Sequence, residues 1–200
     1  MYELRPYQGE ARDAVLSEWD QGHQRTLLVL PTGTGKTVVF SSVIQHEIQD
    51  GSRALVLAHR GELLTQAADK LRDACGIDSA LEKAESSSIG SLFPVTVGSV
   101  QSLAQPKRLA RFPADYFKTI VIDEAQNVAE RGDHQAQRAR LAKLLAERSD
   151  TMIMLSATPH DGRARSFASL MNMLDPTAIA NPDDYTKDDI KGLCIRRFKK

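Results

Sequence analysis

The sequence predicts an α/β domain: a mainly parallel β-sheet sandwiched between helices. Short apolar runs alternate along the chain with amphipathic stretches at helical spacing, the pattern of strand–helix–strand units. Apolar residues make up 42% and charged residues 26% of the 200 residues, the ordinary mix of a globular protein. A chain of this length and mix can fill one core without disulfides.

The elements follow in order. Pro6 opens a first helix, in which Tyr7, Ala11, Ala14, Val15 and Trp19 recur at helical spacing before Gly22 closes it. Residues 26–30 form a buried-strand run that ends at a Gly-rich loop, and a helix runs from Thr37 through Val38, Val39, Phe40, Val43 and Ile44. Residues 54–58 are a second strand. The helix after it carries Leu63, Leu64, Ala67, Ala68, Leu71 and Ala74 on one stripe and stops at Gly76. The Ser/Gly-rich, aperiodic stretch 86–94 reads as a loop. Strands follow at 95–97 and 119–122, then a polar loop at Arg131-Gly132-Asp133 and a helix with Leu141, Leu144 and Leu145. Residues 151–155 are the last strand. Beyond Pro159 a helix with Phe167, Leu170, Met171 and Leu174 ends before Pro176, and the Asp/Lys-rich remainder has no assignable period. Residues 1–160 are expected to form one domain and 161–200 a helical extension of it.

Lys plus Arg equals Asp plus Glu at 26 each, so any nucleic-acid binding must come from a local basic surface. Cys75 and Cys194 lie far apart without metal-ligand spacing and read as reduced thiols. No apolar signal region opens the chain and no apolar run reaches the length of a membrane span, so the expected setting is the cytoplasm.

Pro31-Thr32-Gly33-Thr34-Gly35-Lys36-Thr37, set between a strand and a helix, carries the chemistry of a phosphate-binding loop. The strict pattern has a glycine where Leu30 stands, so this is a variant. Gly33 and Gly35 allow close approach, backbone N–H groups gather at a helix N-terminus, and the Lys36 ammonium suits β- and γ-phosphates. The Thr37 hydroxyl is a Mg²⁺ ligand in such loops. Asp123-Glu124-Ala125-Gln126 follows an apolar strand and so falls at a strand's C-terminal edge, where α/β ligand sites form. There Asp123 would hold Mg²⁺ and Glu124 would polarise the attacking water. An Asp-Glu pair alone is usually a solvated turn or a helix cap. Its place in a chain with a phosphate loop favours catalysis.

These motifs, in this order, resemble superfamily 2 helicases and translocases, of a Swi/Snf-like or type III restriction-like DEAD/DEAH-box branch. Leu4-Arg5-Pro6-Tyr7-Gln8 is similar to their adenine-recognition motif, which implies that Gln8, with Arg5 beside it, reads the adenine edge. Residues 31–37 resemble the first motif and residues 123–126 the second, with Gln126 where His or Asp is commoner. Ser156-Ala157-Thr158 matches the third, which in the family couples hydrolysis to nucleic-acid binding. Ala58-His59-Arg60 and the segment from Gly98 through Ser99 and Gln101 to Leu103 are similar to elements that touch the nucleic-acid backbone. His59 reads equally as a packed or surface histidine. Residues 156–162, then Phe167, Leu170 and Leu174-Asp175-Pro176, resemble the Swi/Snf-like branch, and residues 195–200 its Arg-rich stretch, or a solvated basic tail.

The resemblance implies a RecA-like P-loop NTPase domain, ATP and Mg²⁺ as cofactors, and DNA ahead of RNA as the track. It also implies a second RecA-like domain as partner, carrying the arginine fingers. Only 45 residues run from Ser156 to Lys200, too few for that domain. The chain is expected to be the first motor domain, binding nucleotide with little turnover. The alternatives are a motor subunit of a restriction or phage-defence complex, and a nucleotide-binding interaction module without turnover.

Overall fold

The computed structural model describes residues 3–59, 61–127, 133–158, 164–181, 184–186, 189–190 and 192–196. The elements run α1 (Pro6–Asp20), β1 (Arg25–Val29), α2 (Lys36–Glu47), β2 (Ala54–Ala58), α3 (Gly61–Cys75), β3 (Ser79–Glu82) and β4 (Val95–Ser99). Then follow α4 (Val100–Leu103), α5 (Pro106–Leu109), β5 (Thr119–Ile122), α6 (Asp133–Arg148), β6 (Thr151–Ser156), α7 (Ala164–Leu174) and β7 (Cys194–Arg196). All seven strands join one parallel sheet in the order β3-β4-β2-β5-β6-β1-β7.

The apolar strands sort their side chains by the two-residue period of the pleat. Leu27 and Val29, Leu55 and Leu57, Ile120 and Ile122, and Met152 and Met154 face one core with α4 to α7. Leu28, Val56, Val121, Ile153 and Leu155 face the other, against α1, α2 and α3. Both faces are therefore covered, which is why the runs are apolar throughout.

Every expected strand is present within two residues of its expected bounds. Two strands were not foreseen. β3 pairs with β4 at one edge, from Ser79↔Val95 to Glu82↔Gly98. β7 pairs with β1 at the other, so residues from the expected basic stretch complete the sheet instead of trailing from it. The short helices α4 and α5 were also unforeseen. Residues 131–132, 159–163 and 197–200 lie outside the described residues. Among the described residues no helix is long and apolar enough to cross a membrane.

Because all strands are parallel, their C-terminal ends share one edge of the sheet. β1, β5 and β6 bring the phosphate loop, Asp123 and Ser156 to one half of that edge. β2, β4 and β3 bring His59, Ser99 and Glu82 to the other half.

Candidate nucleotide site and track groove

The phosphate loop is held at both ends. The Leu30 N–H donates to the Ser156 carbonyl at 3.0 Å, and the Thr34 hydroxyl donates to the Pro31 carbonyl at 2.7 Å. Thr32 is exposed at the tip. Gly33 and Gly35 adopt φ of +78° and +79°, and Gly35 caps α2. A Cβ on Gly35 would stand 2.6 Å from Nε2 of Gln8, so that position excludes a side chain for two separate reasons. Among the described residues, no acceptor takes the N–H groups of Gly33, Gly35, Lys36 or Thr37. Open donors at the positive end of a helix form a seat for anions. The Lys36 ammonium lies 3.5 Å from the Leu30 carbonyl, at the margin of a hydrogen bond, and is held over the loop at little cost to its release.

Gln8 is 6% exposed and lies against this loop. Its Nε2 donates to the Thr34 carbonyl at 2.9 Å, and its Oε1 accepts the Arg5 N–H at 3.0 Å. The Tyr7 hydroxyl donates to the same Thr34 carbonyl at 3.0 Å. One Nε2 proton and one Oε1 lone pair remain for a ligand. Gln8 is thus a strut between α1 and the phosphate loop, a role that sequence reading did not foresee. The Arg5 side chain is exposed, its guanidinium 3.5 Å from the Tyr7 hydroxyl.

Asp123 extends the β5 ladder by one residue, its N–H donating to the Leu57 carbonyl at 2.9 Å. Its Oδ1 accepts the Glu124 N–H at 3.0 Å. Burial pushes its pKa above the ordinary aspartate value. The Glu124 N–H and the ammonium groups of Lys36 and Lys70 pull it down, the Glu124 charge pushes it up, and the balance stays upward. A half-buried carboxylate next to a loop with open N–H donors fits a Mg²⁺–phosphate pair. Glu124 has φ of 53°, the one positive value on a non-glycine among the described residues. Strain of this kind concentrates where a side chain must be aimed. Behind it, Gln126 Oε1 accepts a 2.8 Å hydrogen bond from the buried Ser156 hydroxyl. Ala157 and Thr158 continue past β6 along the same edge, Ala157 half-buried and Thr158 exposed.

On the other half of the edge, Ala58 and Ser99 are register partners at the ends of β2 and β4. The Ser99 hydroxyl donates to Gln101 Oε1 at 2.8 Å, and Gln101 Nε2 lies 3.4 Å from His59 Nδ1. These three residues line one open groove with Lys83, Ala84 and Glu85. Sequence reading missed the last three, because they follow the unforeseen β3. Arg60 lies outside the described residues.

A family model described as type III restriction enzyme, res subunit, matches residues 1–161. The chain belongs to that family. It is a first RecA-like domain of the superfamily 2 helicases and translocases. The protein irc3 of Schizosaccharomyces pombe, named as a mitochondrial ATP-dependent helicase, is 34% identical over 129 residues, covering 63% of this chain and 21% of its own. IRC3 of Saccharomyces cerevisiae, also named as an ATP-dependent helicase, is 30% identical over 206 residues, covering 98% of this chain and 28% of its own. The chain therefore spans between a fifth and a third of the length of these relatives. In fold, this res-type domain is similar to the SWI2/SNF2 ATPase core of Sulfolobus solfataricus in complex with dsDNA. That match has a TM-score of 0.78 at 20% identity, over 98% of this chain and 45% of that one.

Proposed function

We propose that this chain is the nucleotide-gripping half of a motor that moves on DNA, and that by itself it binds ATP with little turnover. One observation carries the reading. Parallel pairing brings the open N–H donors of Gly33, Gly35, Lys36 and Thr37, the half-buried Asp123 and the Ser156–Gln126 bond to one stretch of sheet edge. In this reading the N–H groups of Gly33, Gly35, Lys36 and Thr37, with the Lys36 ammonium, take the phosphates. The Thr37 hydroxyl and the Asp123 carboxylate hold Mg²⁺, Glu124 orients a water, and the spare proton and lone pair of Gln8 meet the adenine edge. Bound Mg²⁺ supplies positive charge that neutralises the phosphate oxygens. Ser156, bonded to Gln126, carries news of the track to the carboxylates, with Ala157 and Thr158 beyond it.

The groove at His59, Ser99 and Gln101 is the track site, and Arg60 is a further contact to the track, reading backbone and not sequence as a stepping motor requires. Residues 161–200 extend the same domain toward a second RecA-like domain that supplies arginine fingers. The cytoplasmic setting belongs to the same proposal. Steady-state ATPase assays with and without duplex DNA test it: the proposal expects nucleotide binding with slow turnover in both, and brisk DNA-stimulated hydrolysis by this chain alone would overturn it. The res-subunit model favours one second reading, a motor committed to a restriction or phage-defence assembly. Its discriminating result is co-purification of the full polypeptide with a nuclease or methyltransferase partner.

A further inference from the structure

Outside the candidate nucleotide site, a dense polar cluster surrounds Arg108 on α5. Its Nε donates to Glu82 Oε1 at 2.5 Å, and its Nη1 to the Ala84 carbonyl at 3.1 Å. Its Nη2 donates to the Ser86 carbonyl at 2.5 Å and to the Lys83 carbonyl. Glu82, fully buried at the end of β3, accepts the Ser88 N–H at 2.6 Å and the Ser88 hydroxyl at 3.1 Å on its other oxygen. Lys83 and Ser86 close a two-residue turn by exchanging N–H···O bonds of 3.0 Å each. One guanidinium thus binds a carboxylate and three carbonyls of a single turn, four acceptors that a fork of five fixed donors can serve and the three donors of an ammonium cannot.

This arrangement leaves the turn polarised. Three of its carbonyls are spent on Arg108, while the N–H groups of Ala84 and Glu85 have no acceptor among the described residues. The half-buried Lys83 and the exposed Ala84 and Glu85 line the groove that also holds His59, Ser99 and Gln101. A buried ion pair contributes little net stability, because desolvation offsets most of the attraction. Here it selects one geometry for the turn.

We infer that the 83–86 turn is the third wall of the track groove, that Lys83 contacts the phosphodiester backbone there, and that Arg108 is its positioning residue. The inference rests on the track reading above and adds a wall to it. Lys83 supplies a mobile charge, and the two open N–H groups supply fixed donors of the kind that grip phosphate without reading bases. Glu85 stands in the same groove with the opposite charge and holds the grip down.

The test is fluorescence anisotropy of a short labelled duplex with this chain, as a function of salt. Lys83→Ala should weaken binding about fivefold and lower the slope of log K against log salt by about 0.9, the signature of one lost phosphate contact. Arg108→Lys should weaken binding to a similar extent and add nothing in the double variant, since both act through one turn. Lys83→Arg should bind as wild type does, and Glu85→Gln more tightly. Lys83 is partly exposed, so Lys83→Ala remains decisive where Arg108→Lys loses its fold. If wild type binds no duplex, or Gln101→Ala binds as well as wild type, the track reading falls and this inference with it. If Gln101→Ala weakens binding while Lys83→Ala matches wild type in affinity and slope, this inference alone is overturned.

Discussion

The Ser156 hydroxyl donates a 2.8 Å hydrogen bond to Oε1 of Gln126, joining the end of β6 to the turn that follows Asp123 and Glu124. Neither partner titrates, so the link holds across the physiological pH range, where a histidine in place of Gln126 would change its charge. Ser156→Ala and Gln126→Ala should each lower stability by about 1 kcal/mol, or about 2–4 °C in Tm for a chain of this size. The double variant should do little more than either single change. Thermal melts of the four proteins check this, and additive losses would show that the bond is not what couples the two positions.

Gly35 and Gln8 form the second tight junction. Gly35→Ala meets both a left-handed backbone and the Gln8 amide at 2.6 Å, whereas Gly33→Ala meets only the backbone term, with nothing near its added methyl. Gly35→Ala should therefore lower Tm further than Gly33→Ala, by an extra 1–3 kcal/mol or so for the crowded side chain. It should also displace Gln8 from the Thr34 carbonyl. Comparison of the two melts decides between crowding and backbone strain.

Asp123 is costly to the nucleotide-free protein. A carboxyl whose pKa is raised on folding favours the folded state when protonated, and opposes it once the pH rises through that value. Asp123→Asn keeps an oxygen for the Glu124 N–H and removes the charge, so it should raise Tm at neutral pH while weakening ATP binding in the presence of Mg²⁺. Scanning fluorimetry and titration with the nucleotide measure the two effects. A fall in Tm would show that the buried charge is already compensated.

Glu82 behaves in the opposite sense. Burial pushes its pKa up, but the Ser88 N–H, the Arg108 guanidinium and the Ser88 hydroxyl outweigh burial and hold it below the ordinary glutamate value of 4.5. A depressed carboxylate stabilises the fold fully above its unfolded value, and that gain is lost as pH falls through the folded one. The Tm gap between wild type and Glu82→Gln should be widest near neutral pH and close below pH 4.5. A gap independent of pH would assign the loss to packing alone.

What the sequence disclosed depended on whether a signal was local. β1, β2, β5 and β6 are short continuous runs of branched and aliphatic residues buried on both faces, and their length and apolar composition mark them locally. Ser79–Glu82 has one large apolar residue and lies at an edge, so no local pattern marks it as a strand. Cys194–Arg196 is a strand because β1 offers an open edge, with the Leu27 N–H taken by the Leu193 carbonyl at 2.7 Å. At the site, Lys36, Thr37, Asp123 and Ser156 were legible because motif and spacing travel together. Glu82 and Arg108, 26 residues apart in sequence, meet only through the sheet, and nothing in either neighbourhood announces the other.

Titration calorimetry of ATP with Mg²⁺ into wild type and Lys36→Ala is the most direct measurement of whether residues 31–37 grip a nucleotide. Wild type should bind, and loss of the ammonium beside the open N–H groups should weaken binding at least tenfold, about 1.4 kcal/mol or more. Equal binding by the two proteins would contradict the phosphate loop, and with it the motor reading built on that loop.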